Sequence, residues 1–127
     1  MSTIKANDLT NTTGGIPTVK SQQLIPTAWV NFNGSGTVAI RDSENISSIT
    51  DVNTGQYKVN FSTNLASANF CVLVTSRGVA ASSRGVGTLN HDVANTVGLV
   101  GILTMNPANV AYTDSPEVNV LIMGGQA

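Results

Sequence analysis

Apolar and polar residues alternate with a period of two over several short stretches of this chain, and Gly, Asn and Pro separate the stretches. That period belongs to half-buried β-strands. Val30 and Phe32 fall on one face, with Asn31 and Asn33 on the other. Trp29 is out of phase with the apolar pair and is expected on the side away from the core. Asn33-Gly34-Ser35-Gly36 reads as a tight connection, because Asn and Gly accept positive φ. Val38 and Ile40 are then expected inward, with Thr37 and Arg41 outward. Ile46 and Ile49 break the period, which predicts a bulge or bend. After a turn at Asp51-Val52-Asn53-Thr54-Gly55, Tyr57, Val59 and Phe61 alternate with Gln56, Lys58 and Asn60. This is the clearest half-buried strand in the chain.

Further along, NFCVLVTS (69–76) is apolar in both phases, which predicts a central strand covered on both faces. Residues 77–95 are rich in small side chains and read as a loop. In TVGLVGILTM (96–105) the glycines and β-branched residues favour strand over buried helix. Pro107 and Pro116 bracket a loop, EVNVLIM (117–123) is the last strand, and Gly124-Gly125 ends it. No segment carries a helical stripe. About seven short strands with Gly and Asn turns make an all-β chain, an antiparallel β-sandwich or jelly-roll-like domain over residues 27–127. Residues 1–26 have no periodicity, and they read as an extended N-terminal arm for attachment or subunit exchange.

Composition sharpens this picture. A chain of 127 residues suits one such domain. Charged residues are 10% of it, against about 25% in ordinary soluble domains, so Ser, Thr, Asn and Gly must supply the polar surface. An uncharged, hydrogen-bonding surface suits packing against copies of itself or against other neutral surfaces. The six Lys and Arg are scattered and the net charge is −1, which argues against nucleic-acid binding. No apolar run is long enough to cross a membrane, so no membrane insertion is expected. The N-terminus lacks an apolar signal core, which points to synthesis in a cytoplasm. The single cysteine, Cys71, lies in an apolar run and is expected to be a buried thiol.

Reactive chemistry is sparse. His91 and Asp92 are adjacent, with Ser82 and Ser83 upstream, but adjacency alone does not build a catalytic triad. The close acidic pairs, Asp42 with Glu44 and Asp114 with Glu117, fall at strand ends beside turns rather than facing each other across a cleft. Asp51-x-Asn53-x-Gly55 departs from a calcium loop, since the Gly and Glu positions of that pattern hold Gln56 and Ser62. No enzymatic activity, metal or cofactor is therefore expected. The candidate surface contact is the loop bearing Arg77, Arg84, His91 and Asp92, which combines charge with small flexible neighbours. Trp29 is the candidate packing or interface aromatic.

Ala28–Gly34 (AWVNFNG), Gly36–Arg41 (GTVAIR), Ile49–Asp51 (ITD), Gly55–Phe61 (GQYKVNF) and Ala68–Phe70 (ANF) follow one another in an order and spacing that resemble the C-terminal module of bacteriophage tail-fibre proteins. IKANDLTNTTGGIPTV, near the N-terminus, is similar to fibre sequence that precedes such modules. The resemblance implies a β-rich head in a homotrimer displayed on a virion, at the tail rather than the head. It also implies contact with a host-surface glycan or protein, and attachment to other virion proteins through residues 1–26. Because only 26 residues precede the module, a non-receptor tail adaptor and a capsid decoration (cement) protein remain alternatives.

Overall fold

Alternation along the chain becomes strand wherever one phase can be buried. The computed structural model describes residues 25–80 and 84–125. Most of the arm expected over residues 1–26, together with Ser82 and Ser83, lies outside the described residues. Among the described residues the secondary structure is all β: β1 Ala28–Asn33, β2 Ala39–Glu44, β3 Ile46–Asn53, β4 Gln56–Phe61, β5 Phe70–Ser76, β6 Val86–Leu89, β7 Leu99–Asn106, β8 Ala111–Tyr112 and β9 Val118–Gly124. They form two antiparallel sheets. The first has the order β2-β1-β9-β5 and the second β3-β4-β7-β6, with β8 also paired to β7. The sheets pack face to face as a β-sandwich, as the alternation predicts.

The core is the set of inward phases. The first sheet contributes Ala28, Val30 and Phe32 from β1 and Val118, Val120 and Ile122 from β9. The second contributes Tyr57, Val59 and Phe61 from β4 and Val100 and Ile102 from β7. Two edge-to-face ring pairs join the layers, Phe32 with Tyr57 at 5.2 Å and Phe61 with Phe70 at 5.8 Å between centroids. Such pairs add roughly 0.5–1.5 kcal/mol each beyond the burial of their area.

Local chemistry shapes the corners. The chain leaves the first sheet for the second through one residue, Asn45, at φ 56°. Asn tolerates this left-handed region better than most residues. Its side chain holds the corner by donating to the Thr63 carbonyl at 3.2 Å and accepting from the Thr63 N–H at 2.8 Å. The irregularity foreseen around Ile46 and Ile49 is real, since the β3–β4 register shifts between Ile46 and Ser48. At Gly55, φ is 65°, and a Cβ there would drive into the Thr104 carbonyl and the Thr113 N–H. Glycine is required at that turn by conformation and by space.

Four expectations need correction. The segment 69–76 supplies an edge strand, β5, paired among the described residues only with β9, and its outward phase at Cys71, Leu73 and Thr75 is exposed. Cys71 is accordingly an exposed thiol, because it falls in the phase opposite to Val72 and Val74. Ile40 sits opposite the buried Phe32, yet it remains 37% exposed, because β2 is also an edge strand and its pairing with β1 is bulged. Finally, the supposed loops contain the short strands β6 and β8. Both are stabilised by pairing with β7 and not by their own pattern.

Candidate functional site

The four residues of the expected contact loop occupy two separate places. Arg77 follows β5 and Arg84 precedes β6, and both border a small gap at one end of the sandwich beside Asn106, Thr113 and Ser115. The gap encloses about 10 Å³, room for one water-sized group and not for a sugar or a peptide. Its floor is held by Ser115, whose hydroxyl lies 2.7 Å from the Arg77 carbonyl and 2.8 Å from the Glu117 carbonyl. His91 and Asp92 lie beyond the other end of β6, which runs on the order of 13 Å at strand rise. The His91 Nε2 and an Asp92 carboxylate oxygen are 2.9 Å apart, with the side chains 76% and 60% exposed. The two groups that the sequence places side by side therefore do meet, but in open solvent, where such a pair contributes little.

Two other acidic side chains, Asp114 and Asp42, accept from backbone N–H groups. Asp114 Oδ1 accepts from the Gly55 N–H at 2.7 Å and lies 3.1 Å from the Tyr57 hydroxyl oxygen. That hydroxyl also lies 2.8 Å from the Gly34 carbonyl, to which it donates from inside the core. Burial, and after it the negative charge of Asp114, pushes the Tyr57 phenol above its ordinary value. The Asp42 carboxylate accepts from the N–H of its own neighbour, Ser43, at 2.9 Å. Among the described residues no group of three His, Cys, Asp or Glu side chains is arranged to hold a metal ion.

Trp29 has the richer surroundings. It lies on the outer face of the first sheet, as its phase requires, and is half-buried there. Register sets two parallel rows across that face. One row runs Glu44, Trp29, Leu121, Leu73. The next runs Asp42, Asn31, Asn119, Thr75. The second row is a side-chain ladder. The Asn31 amide donates to Asn119 Oδ1 at 2.6 Å, and the Asn119 amide donates to Thr75 Oγ1 at 3.3 Å. Trp29, Leu121 and Leu73 of the first row and Asn31, Asn119 and Thr75 of the second line a shallow depression of about 400 Å³, whose surface is mostly apolar. Leu73, in its wall, is 58% exposed.

Sequence reasoning singled out Trp29 but missed Leu73 and Leu121. The signal was present in the phases. Leu121 is out of step with Val120 and Ile122, and Leu73 with Val72 and Val74. Reading residues 69–76 as covered on both faces concealed it. No helix among the described residues is long and apolar enough to cross a membrane. Comparison of the chain with protein-family models, with curated proteins and with solved structures finds no match.

Proposed function

We infer that this chain is a bacteriophage virion structural protein of the tail-fibre type, a homotrimer that takes part in attachment to the host surface. The observation that supports this reading is the resemblance carried by Ala28–Phe61. In the fold these residues form four successive strands, β1 to β4, reaching across both sheets. The resemblance thus falls on the frame of the domain and not on one loop. The low share of charged residues suits a surface that associates with copies of itself. Residues 1–26 attach the domain to other virion proteins in this reading, and the exposed ends of the sandwich, with Arg77 and Arg84 at one and His91 and Asp92 at the other, are available to a host glycan or protein.

Immunogold labelling of intact virions tests the assignment. Gold at the tail, together with binding of the purified protein to host cells and competition with phage adsorption, is the expected result. Gold over the head instead would make the chain a capsid decoration protein. Label at the tail without binding to cells would leave it a tail adaptor.

A further inference from the structure

Asn33-Gly34 is the only place in the chain where asparagine precedes glycine. With no Cβ on Gly34, its peptide nitrogen can approach the Asn33 side-chain carbonyl carbon with little hindrance. We propose that Asn33 is a site of spontaneous deamidation that the folded domain holds shut, so that conversion follows opening of the β1–β2 connection. In the reaction the Gly34 nitrogen gives up its proton and bonds to Asn33 Cγ. The Cγ–Nδ2 bond breaks, and Nδ2 leaves as ammonia with that proton. Water then opens the succinimide ring at either carbonyl, giving aspartate or isoaspartate. Water is the one co-reactant, and nothing is oxidised or reduced. The inference is independent of the virion reading above.

The fold withholds both reacting groups. Gly34 is buried, and its N–H donates to the Ser115 carbonyl at 2.9 Å, which holds the proton in place and shields it from hydroxide. The Gly34 carbonyl accepts from the Tyr57 hydroxyl at 2.8 Å, so the peptide units on both sides of this residue are fixed. The segment that accepts from Gly34 is anchored in turn. Ser115 is 2% exposed, and the Arg41 guanidinium donates to the neighbouring Pro116 carbonyl at 2.6 Å. On the other side of the bond to be formed, the Asn33 side-chain amide donates to the Ser35 carbonyl at 2.7 Å and to the Thr37 carbonyl at 3.0 Å, which ties down the leaving nitrogen. One contact works the other way. The Ser35 N–H donates to Asn33 Oδ1 at 3.3 Å, which polarises the side-chain carbonyl, so protection rests on the clamp at Gly34. Neither residue is freely exchanged for a less reactive one. A Cβ at Gly34 would meet the Tyr57 hydroxyl at 2.6 Å, and without the Asn33 amide the Ser35 and Thr37 carbonyls lose its hydrogens.

Trypsin, cutting after Lys20 and Arg41, releases residues 21–41 as one peptide that holds Asn31 and Asn33, and fragment mass spectrometry separates the two positions. The experiment holds the full chain in mildly alkaline buffer, folded and in guanidinium chloride, and follows conversion at Asn33 over time. The folded chain should convert at least about tenfold more slowly, because only its open fraction reacts. Tyr57→Phe, shown to be folded by circular dichroism, should convert at least about fivefold faster than folded wild type, because it loses the bond to the Gly34 carbonyl. Equal conversion in buffer and in guanidinium chloride would overturn the protection. No conversion in guanidinium chloride would overturn the site itself. A folded Tyr57→Phe that converts no faster than wild type would overturn the clamp at Gly34 as the cause. If Tyr57→Phe does not fold, hydrogen exchange at the Gly34 amide of wild type decides that last point: slow exchange is expected, and exchange at the unfolded rate would overturn the clamp.

Discussion

Replacing Tyr57 by Phe tests whether the hydroxyl at the end of the core is a structural tie. The side chain is fully buried. Its O–H reaches the Gly34 carbonyl at 2.8 Å and lies 3.1 Å from Asp114 Oδ1. Gly34 is itself buried, and its N–H donates to the Ser115 carbonyl at 2.9 Å. The hydroxyl therefore pins the β1–β2 connection to the segment before β9. The Phe variant keeps the ring and its contact with Phe32 but leaves the Gly34 carbonyl without its phenol partner. The cost of such a loss is about 1–3 kcal/mol.

A second signature separates this tie from simple packing. The folded-state phenol titrates above its ordinary value of about 10. A raised folded value means that the phenol's contribution is fully present below the unfolded value. It is lost as pH climbs from there toward the folded value, because the unfolded chain releases the proton first. The slope is about 1.4 kcal/mol per pH unit, so the gap between wild type and Tyr57→Phe should narrow by about 1.4 kcal/mol between about pH 9 and about pH 11. Urea unfolding of both proteins across that range reads the gap directly, and effects of other titrating groups cancel in the difference. A gap that is absent at neutral pH, or that stays constant to about pH 11, would refute the reasoning.

Three further outcomes follow from the geometry. Gly55→Ala forces a Cβ into the Thr104 carbonyl at φ 65° and should cost at least about 2 kcal/mol, read as a lower urea midpoint. Val110 is a β-branched residue at φ 52°, and it is 77% exposed, so Val110→Gly loses little contact and should raise stability by up to about 1 kcal/mol, seen as a higher Tm. Phe32→Ala removes a fully buried ring and its edge-to-face contact with Tyr57, and should destabilise by about 3–5 kcal/mol, measured by the same denaturation.

Much of this fold is local in origin. The phase of Val30 and Phe32 against Trp29, and of Tyr57, Val59 and Phe61 against their polar neighbours, follows from the pleat of one strand, and the side chains alone report it. The Gly55 turn and the irregularity near Ile46 are likewise written nearby. The candidate site is legible only in part. Trp29 could be placed on an outer face from its phase, but what shares that face could not. Asn31 and Asn119 are 88 positions apart in sequence, and only the insertion of β9 between β1 and β5 brings them to 2.6 Å. The same pairing leaves residues 70–76 at an edge, which exposes Cys71 and Leu73. In the other sheet, pairing with β7 draws β6 and β8 from segments with no strand pattern of their own. A strand's phase is set by its own residues, but its neighbours are set by which distant backbone supplies its hydrogen bonds. That choice minimises the energy of the whole sandwich, so the tertiary structure alone decided which apolar side chains meet water.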